Sequence, residues 1–201
     1  MTVPLNRAAD AFDGYAAAFR TSRVRAHALV GGMTGAQANW KPAPDAWSVA
    51  ECLAHLNVTA EAYGQALTRA LADAPPRPVN PASLRYGLVG TLFVRAVRPG
   101  SRPLPTLPAM RPPAGAGGRS GLDPADVLAA FDRHTDALVA VTELARGTDA
   151  GRVRVRSPFL PLIRFPLAAL LDGLGQHALR HVGQAERVVA HGAFPRDAFP
   201  Q

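Results

Sequence analysis

Cysteine is almost missing from this chain of 201 residues. Cys52 stands alone, so no intrachain disulfide can form and a reducing compartment is the default. No apolar run approaches the roughly 18 residues that a membrane span needs. The opening segment MTVPLNRAADAFDGY carries charge in its first turns and lacks an apolar centre, so it does not read as a signal peptide. Lysine is nearly absent too, Lys41 being the only one. These gaps lead to the expectation of a soluble, cytoplasmic protein with no membrane partner.

Acidic residues are missing from one long stretch. Between Ala74 and Leu122 lie seven arginines (Arg77, Arg85, Arg95, Arg98, Arg102, Arg111 and Arg119) and no aspartate or glutamate. The chain holds 22 basic and 15 acidic residues, so everything outside that stretch is neutral and the net charge of +7 belongs to it. A basic stripe can attract phosphate or acidic ligands. Here the arginines are spread among prolines and glycines, which favours a solvated basic connector over a nucleic-acid surface.

With 48% hydrophobic and 18% charged residues, the chain has the composition of one folded domain spanning 1–201. Helical periodicity runs from about Asn6 to Val30, where Phe12, Tyr15, Phe19, Ala26 and Leu29 share a side before Gly31-Gly32. A second helix starts at Trp47-Ser48-Val49-Ala50-Glu51, with Ser48 and Glu51 spaced as a capping box, and Pro75-Pro76 stops it. Residues 74–122 form a crossover with a shorter helix at about Ala82 to Val97. Leu84, Leu88, Leu92, Val89 and Phe93 make its apolar side, and Pro99 to Gly121 reads as irregular.

The third long helix runs from Pro124 to Arg146, with Asp123 as N-cap and Pro124 in the first helical position. Val153 to Arg156 alternates as a short extended piece, and Ser157-Pro158-Phe159-Leu160-Pro161 is a loop. The fourth helix spans Pro166 to about His191, with Gly192 as its stop. Four long helices around one core make an all-α four-helix bundle, with the long crossover and its extra helix between helices two and three.

Six histidines are the main chemical signal. His177 and His181, four apart, share the inward face of the last helix with Leu170, Leu174, Gln184 and Val188. Two imidazoles one turn apart can grip a divalent ion, though pairs bonded only to backbone or water are commoner. Ala178 stands where a zinc protease would carry its glutamate base. His55 falls at the margin of the second helix's apolar stripe, and periodicity does not decide whether it faces a neighbour or solvent. Gln184 is a secondary candidate for orienting a ligand or bound molecule, with a helix-packing amide the equal alternative; Cys52 and Thr59 are candidates for lining the pocket, Cys52 reading mainly as a small buried side chain. Trp40 and Trp47 read as packing anchors, Glu51 as a cap, and His134 as solvent-exposed on the third helix. His191 suits a helix C-terminus, and His27 carries no signal.

The runs Trp40-Lys41-Pro42, Trp47-Ser48-Val49-Ala50-Glu51-Cys52-Leu53-Ala54-His55-Leu56 and His177-Ala178-Leu179-Arg180-His181-Val182-Gly183-Gln184 resemble the DinB-like superfamily. That resemblance covers most of the chain. It implies a four-helix bundle, often with an up-down-down-up course, and one divalent metal ion held by three histidines: by position His55, His177 and His181. Three histidines suit zinc and nickel comparably. Relatives of this kind include transferases and isomerases that use a low-molecular-weight thiol such as bacillithiol or mycothiol. What it implies here is a metal-dependent enzyme acting on a small-molecule ligand, a thiol S-transferase being one form and non-catalytic metal or ligand binding the alternative. No nucleic-acid partner is expected, and a homodimer is left open.

Overall fold

The computed structural model describes residues 5–75, 84, 86–102, 105–112 and 121–196. Among the described residues six α-helices and one small hairpin make up the fold: α1 (Leu5–Val30), α2 (Gly35–Ala38), α3 (Val49–Ala72), α4 (Gly87–Val97), α5 (Pro124–Ala145), β1 (Arg154–Arg156), β2 (Arg164–Pro166) and α6 (Leu167–Val189). A 3-10 turn at Pro108–Met110 sits in the crossover. The all-α bundle is therefore as the sequence suggests, and no described helix is long and apolar enough to cross a membrane.

The long helices start where their local chemistry says. Ser48 Oγ accepts from the Glu51 N–H while Glu51 Oε2 accepts from the Ser48 N–H, the expected capping box. Lys41 adds an ion pair to Glu51 at 2.7 Å, tying the preceding loop to the start of α3. Asp123 accepts from the N–H groups of Ala125 and Asp126 at the head of α5. The sequence reading missed α2, although Thr34 and Gln37 form a second capping box around it. α6 ends at Val189, short of the expected His191, and its Ala190 cap precedes Gly192 by two residues.

The bundle pairs α1 with α5 and α6, and α3 with the same two helices. The core divides into two clusters along the bundle axis. Phe12, Phe19, Leu67, Leu167, Leu170 and Leu171 belong to one; Val49, Leu53, Leu56, Phe131, Val182 and Val188 belong to the other. On α3 and on α6 the change from one cluster to the other falls near residues 55–63 and 174–178, where the histidines stand.

β1 and β2 pair antiparallel, Arg154 opposite Pro166, Val155 opposite Phe165 and Arg156 opposite Arg164. The extended piece at Val153–Arg156 was expected but its partner strand was not. Val155 and Phe165 are buried while the flanking arginines stay out, so the hairpin lays an apolar edge on the bundle. Ser157 Oγ accepts from the Phe159 and Leu160 N–H groups, and Tyr63 hydrogen-bonds to it at 3.1 Å, which fixes the proline-bracketed loop to α3.

α4 begins at Gly87; the expected start near Ala82 lies outside the described residues. Its packing corrects the expected apolar side. Leu88, Val89 and Leu92 are exposed, at 77%, 48% and 55%. The face on α6 is instead built from Gly90, against which a Cβ would come within 2.6 Å of the Ala169 Cβ, and from Phe93, whose ring fills the space over Gly173. Small residues let the two backbones approach, so the contact escapes a search for hydrophobic stripes. Tyr86 secures the helix start by donating to Asp172 Oδ2 at 3.0 Å, its hydroxyl also bonded to that of Tyr15 at 2.7 Å.

This close approach sets opposite signs for two glycine substitutions. Alanine is worth about 1 kcal/mol over glycine in a helix interior, so Gly64→Ala, with nothing within 4 Å of the added methyl, should raise stability. Gly90→Ala should lower it by about 1–2 kcal/mol despite the same gain, because the methyl meets Ala169, which cannot move aside. Urea denaturation of the two variants checks the pair.

Candidate functional site

His55 comes from the second turn of α3, and His177 and His181 come from successive turns of α6. Their rings meet where the helices pack: ring centroids are 5.0 Å apart for His55 and His177, 4.6 Å for His55 and His181, and 4.5 Å for His177 and His181. His55 is buried, 2% exposed, which removes the half-exposed alternative left open by periodicity. The other two are partly exposed through a cavity that all three line.

Hydrogen bonds fix which nitrogen of each ring faces the meeting point. His55 Nδ1–H donates to the Met110 carbonyl at 2.6 Å. A carbonyl can only accept, so in the neutral ring Nε2 carries the lone pair. His181 Nδ1–H donates to Gln184 Oε1 at 3.0 Å, leaving its Nε2 bare in the same way. His55 Nε2 and His177 Nε2 approach to 3.1 Å, so without an ion His177 donates there. Gln184, the helical-wheel candidate for orienting a ligand or a bound molecule, stands behind the His181 ring.

The donor set fits a divalent ion. One nitrogen from each ring lies within 4.8 Å of the others, a grouping that could hold a metal ion. A tetrahedral ion bound at ~2.1 Å spaces its ligands by about 3.4 Å, close to the 3.1 Å already present between two of them. Protonation also favours it. Burial first, and then the neighbouring imidazoles His181 and His55, hold His177 well below the ordinary histidine range. Burial and the charge of His55 bring His181 down to about 3, and burial lowers His55. Neutral imidazoles are the ligands that zinc or nickel accepts, His55 and His181 through their bare Nε2 and His177 through Nε2 once its proton moves to Nδ1.

Trp47 covers the cluster. Its ring is near-parallel to His181 (28°, centroids 5.6 Å) and tilted on His55 at 4.8 Å. The expected anchoring role for Trp40 holds, since it packs on Phe194 and His191; Trp47 does more, closing one side of the triad. The other side opens into a cavity of about 430 Å³ walled by Phe93, Val97, Leu107, Met110, Leu160 and Phe165. Thr59 lines it and bonds back to the His55 carbonyl at 3.1 Å. Cys52 does not line it. It is fully buried in the core, its thiol pushed up to about 12 by burial and by the neighbouring Glu51 charge, which disfavours the thiolate.

The remaining histidines stay apart from the triad. His134 is half-buried where exposure was expected, and it shares a void of about 20 Å³ with the far side of His177. His27 pairs with Asp132 at 2.9 Å, a contact with no signal in the sequence. His191 Nδ1 accepts from the Ala193 N–H, so its lone pair serves a turn and not a helix dipole. The feature most thoroughly missed was the Met110 carbonyl, because a backbone acceptor in a proline-rich crossover has no side-chain signature.

Residues 18–185 match the DinB superfamily, a span that contains all three histidines and Gln184. No curated protein matches the chain and no solved structure matches it.

The depressed histidines make metal-free stability depend on pH. Each folded-state value lies below the unfolded value of about 6.5, so the unfolded chain binds protons that the native one refuses. The contribution is fully present above pH 6.5 and is lost as pH falls toward 3. Thermal melts of metal-free protein between pH 7.5 and 4 should show the midpoint dropping. His177→Gln should show a shallower drop over the same window, and identical slopes would contradict the assignment.

Proposed function

The chain belongs to the DinB superfamily, and on that premise we propose that it is a metal-dependent enzyme whose single divalent ion sits on His55, His177 and His181. The observation that carries this reading is the convergence of three neutral imidazoles at the end of an apolar cavity large enough for a small molecule. Such an ion supplies Lewis acidity, which brings water or a low-molecular-weight thiol to its anionic form near neutral pH. The finer form of the proposal is a thiol S-transferase in the cytoplasm, with zinc or nickel as the metal.

The chain's own groups supply orientation and shelter. The Met110 carbonyl and Gln184 hold the rings of His55 and His181 with Nε2 inward, so neither ring has to turn when a ligand arrives. Trp47 shields the triad from water on one face. The walls of the cavity leave a nucleophile and an electrophile in an apolar space, where charge is poorly screened. One observation favours the second reading, a protein that binds metal and small molecules without turnover: among the described residues no carboxylate lines the cavity to serve as a proton acceptor.

Purified protein reconstituted with zinc or nickel should carry one equivalent of metal by elemental analysis. His177→Ala and His55→Ala should carry none. Gln184→Leu should keep the stoichiometry and lose about 10–100-fold in affinity, as expected when a partner behind a ligand is removed. Absence of stoichiometric metal in the parent protein ends the proposal. Metal binding without product from any thiol–electrophile pair selects the non-catalytic reading.

A further inference from the structure

Arg180 stands on α6 between two histidines of the triad and lines the same cavity. Its guanidinium donates from Nη1 to the Ala96 carbonyl at 2.9 Å and to Ser101 Oγ, and from Nη2 to the Arg102 carbonyl at 3.3 Å. All three acceptors are neutral. Other arginines that bridge elements of the bundle are neutralised: Arg25 by Glu186, Arg23 by Asp136, and Arg146 by Asp13 and Glu143. Among the described residues no carboxylate lies within ion-pair reach of Arg180, and none lines the cavity. The guanidinium is charged at any physiological pH.

The charge count of the cavity is therefore one-sided. Imidazoles carry no negative charge to offset an ion, and among the described lining side chains the one fixed charge, Arg180, is positive. Positive charges gathered in a partly buried space are costly unless a counter-charge accompanies them. We infer that the cavity takes an apolar-bodied anion, of the carboxylate or sulfonate class, whose negative group lies against Arg180 and whose body lies along Phe93, Leu107 and Phe165. The three bonds above occupy three of the five guanidinium N–H groups, leaving two for a ligand among the described residues. The inference narrows the substrate class of the proposed metal site and rests on that reading for the position of the reacting end.

Arg180 also ties the end of α4 and residues 98–102 onto α6, so the experiment separates anchor from anion site. Octane-1-sulfonate is the main probe, because a sulfonate is a poor metal ligand and reports on the arginine alone. Octanol and octylammonium control for the apolar body and for charge sign. By calorimetry on zinc-loaded protein, the sulfonate should bind about tenfold tighter than octanol, and octylammonium should bind more weakly than octanol. Arg180→Gln should abolish the sulfonate preference and Arg180→Lys should retain most of it. Ser101→Ala, which removes an anchoring acceptor but no charge, should leave it intact.

Equal binding of sulfonate and octanol overturns the inference, as does Arg180→Gln with an unchanged preference, or a sulfonate that does not bind. If Arg180→Gln fails to fold, the three-probe series on the parent protein and the lysine variant still decides. Elemental analysis runs alongside. Full zinc without sulfonate preference sinks the anion site and spares the metal reading, whereas a preference that follows Arg180 in protein unable to load metal does the reverse.

Discussion

Three imidazoles can point at one another inside a bundle only if they are neutral and no more than one of them aims its proton at the others. His55 aims its proton instead at the Met110 carbonyl, and His181 at Gln184. Those two hydrogen bonds select the tautomers that leave Nε2 free, and they restrict ring rotation. The remaining architecture follows from housing this arrangement. α3 and α6 pack side by side, so that a histidine on one meets two on the other. The core splits into two clusters, and the polar rings occupy the interval between them without displacing leucine or phenylalanine from either.

The crossover is then part of the site and not merely a connector. Its 3-10 turn delivers the Met110 carbonyl, and Ala96, Val97, Pro105, Thr106, Leu107 and Met110 build one wall of the cavity. Something has to hold that stretch against the bundle, because its prolines deprive it of regular backbone pairing. Gly90 and Gly173 permit α4 to approach α6 closely, Phe93 stacks on Phe165 of the hairpin, and Arg180 collects the carbonyls at the end of α4. The exposure of Leu88, Val89 and Leu92 is the consequence of that docking. The helix turns its small residues inward to get close, and its leucines are left outside.

Local signals were legible in the sequence, and distant ones were not. The capping box at Ser48 and Glu51, the Asp123 cap and the i,i+4 pair His177–His181 each involve residues within four positions, and all are present as read. The same Thr-x-x-Gln spacing announces α2, so that short helix was available to the reading and overlooked. His55 could not be settled by helical periodicity, because its burial depends on a turn 55 residues away. The resemblance to the family supplied what the stripe did not. β2 was hidden since its three residues, Arg164-Phe165-Pro166, carry an arginine and a proline around one apolar side chain. Trp47 was recognised as an anchor, but its stacking on two rings from different helices is a tertiary fact.

The placement of charge gives the cavity a further property. The crossover, with its seven arginines, and residues 150–171, which hold Arg152, Arg154, Arg156 and Arg164, contain no acidic residue at all. Half of the chain's 22 basic residues therefore belong to two segments that both supply walls of the cavity, Leu107 and Met110 from one and Leu160 and Phe165 from the other. The rest of the chain holds all 15 acids and is net negative. A molecule polarised in this way draws anions toward one side before any contact forms, and the draw weakens as salt screens it over about 8 Å at physiological ionic strength. On the anion reading proposed above, the basic stretch would raise the local concentration of small anions beside a cavity whose described lining carries one fixed charge, the positive Arg180.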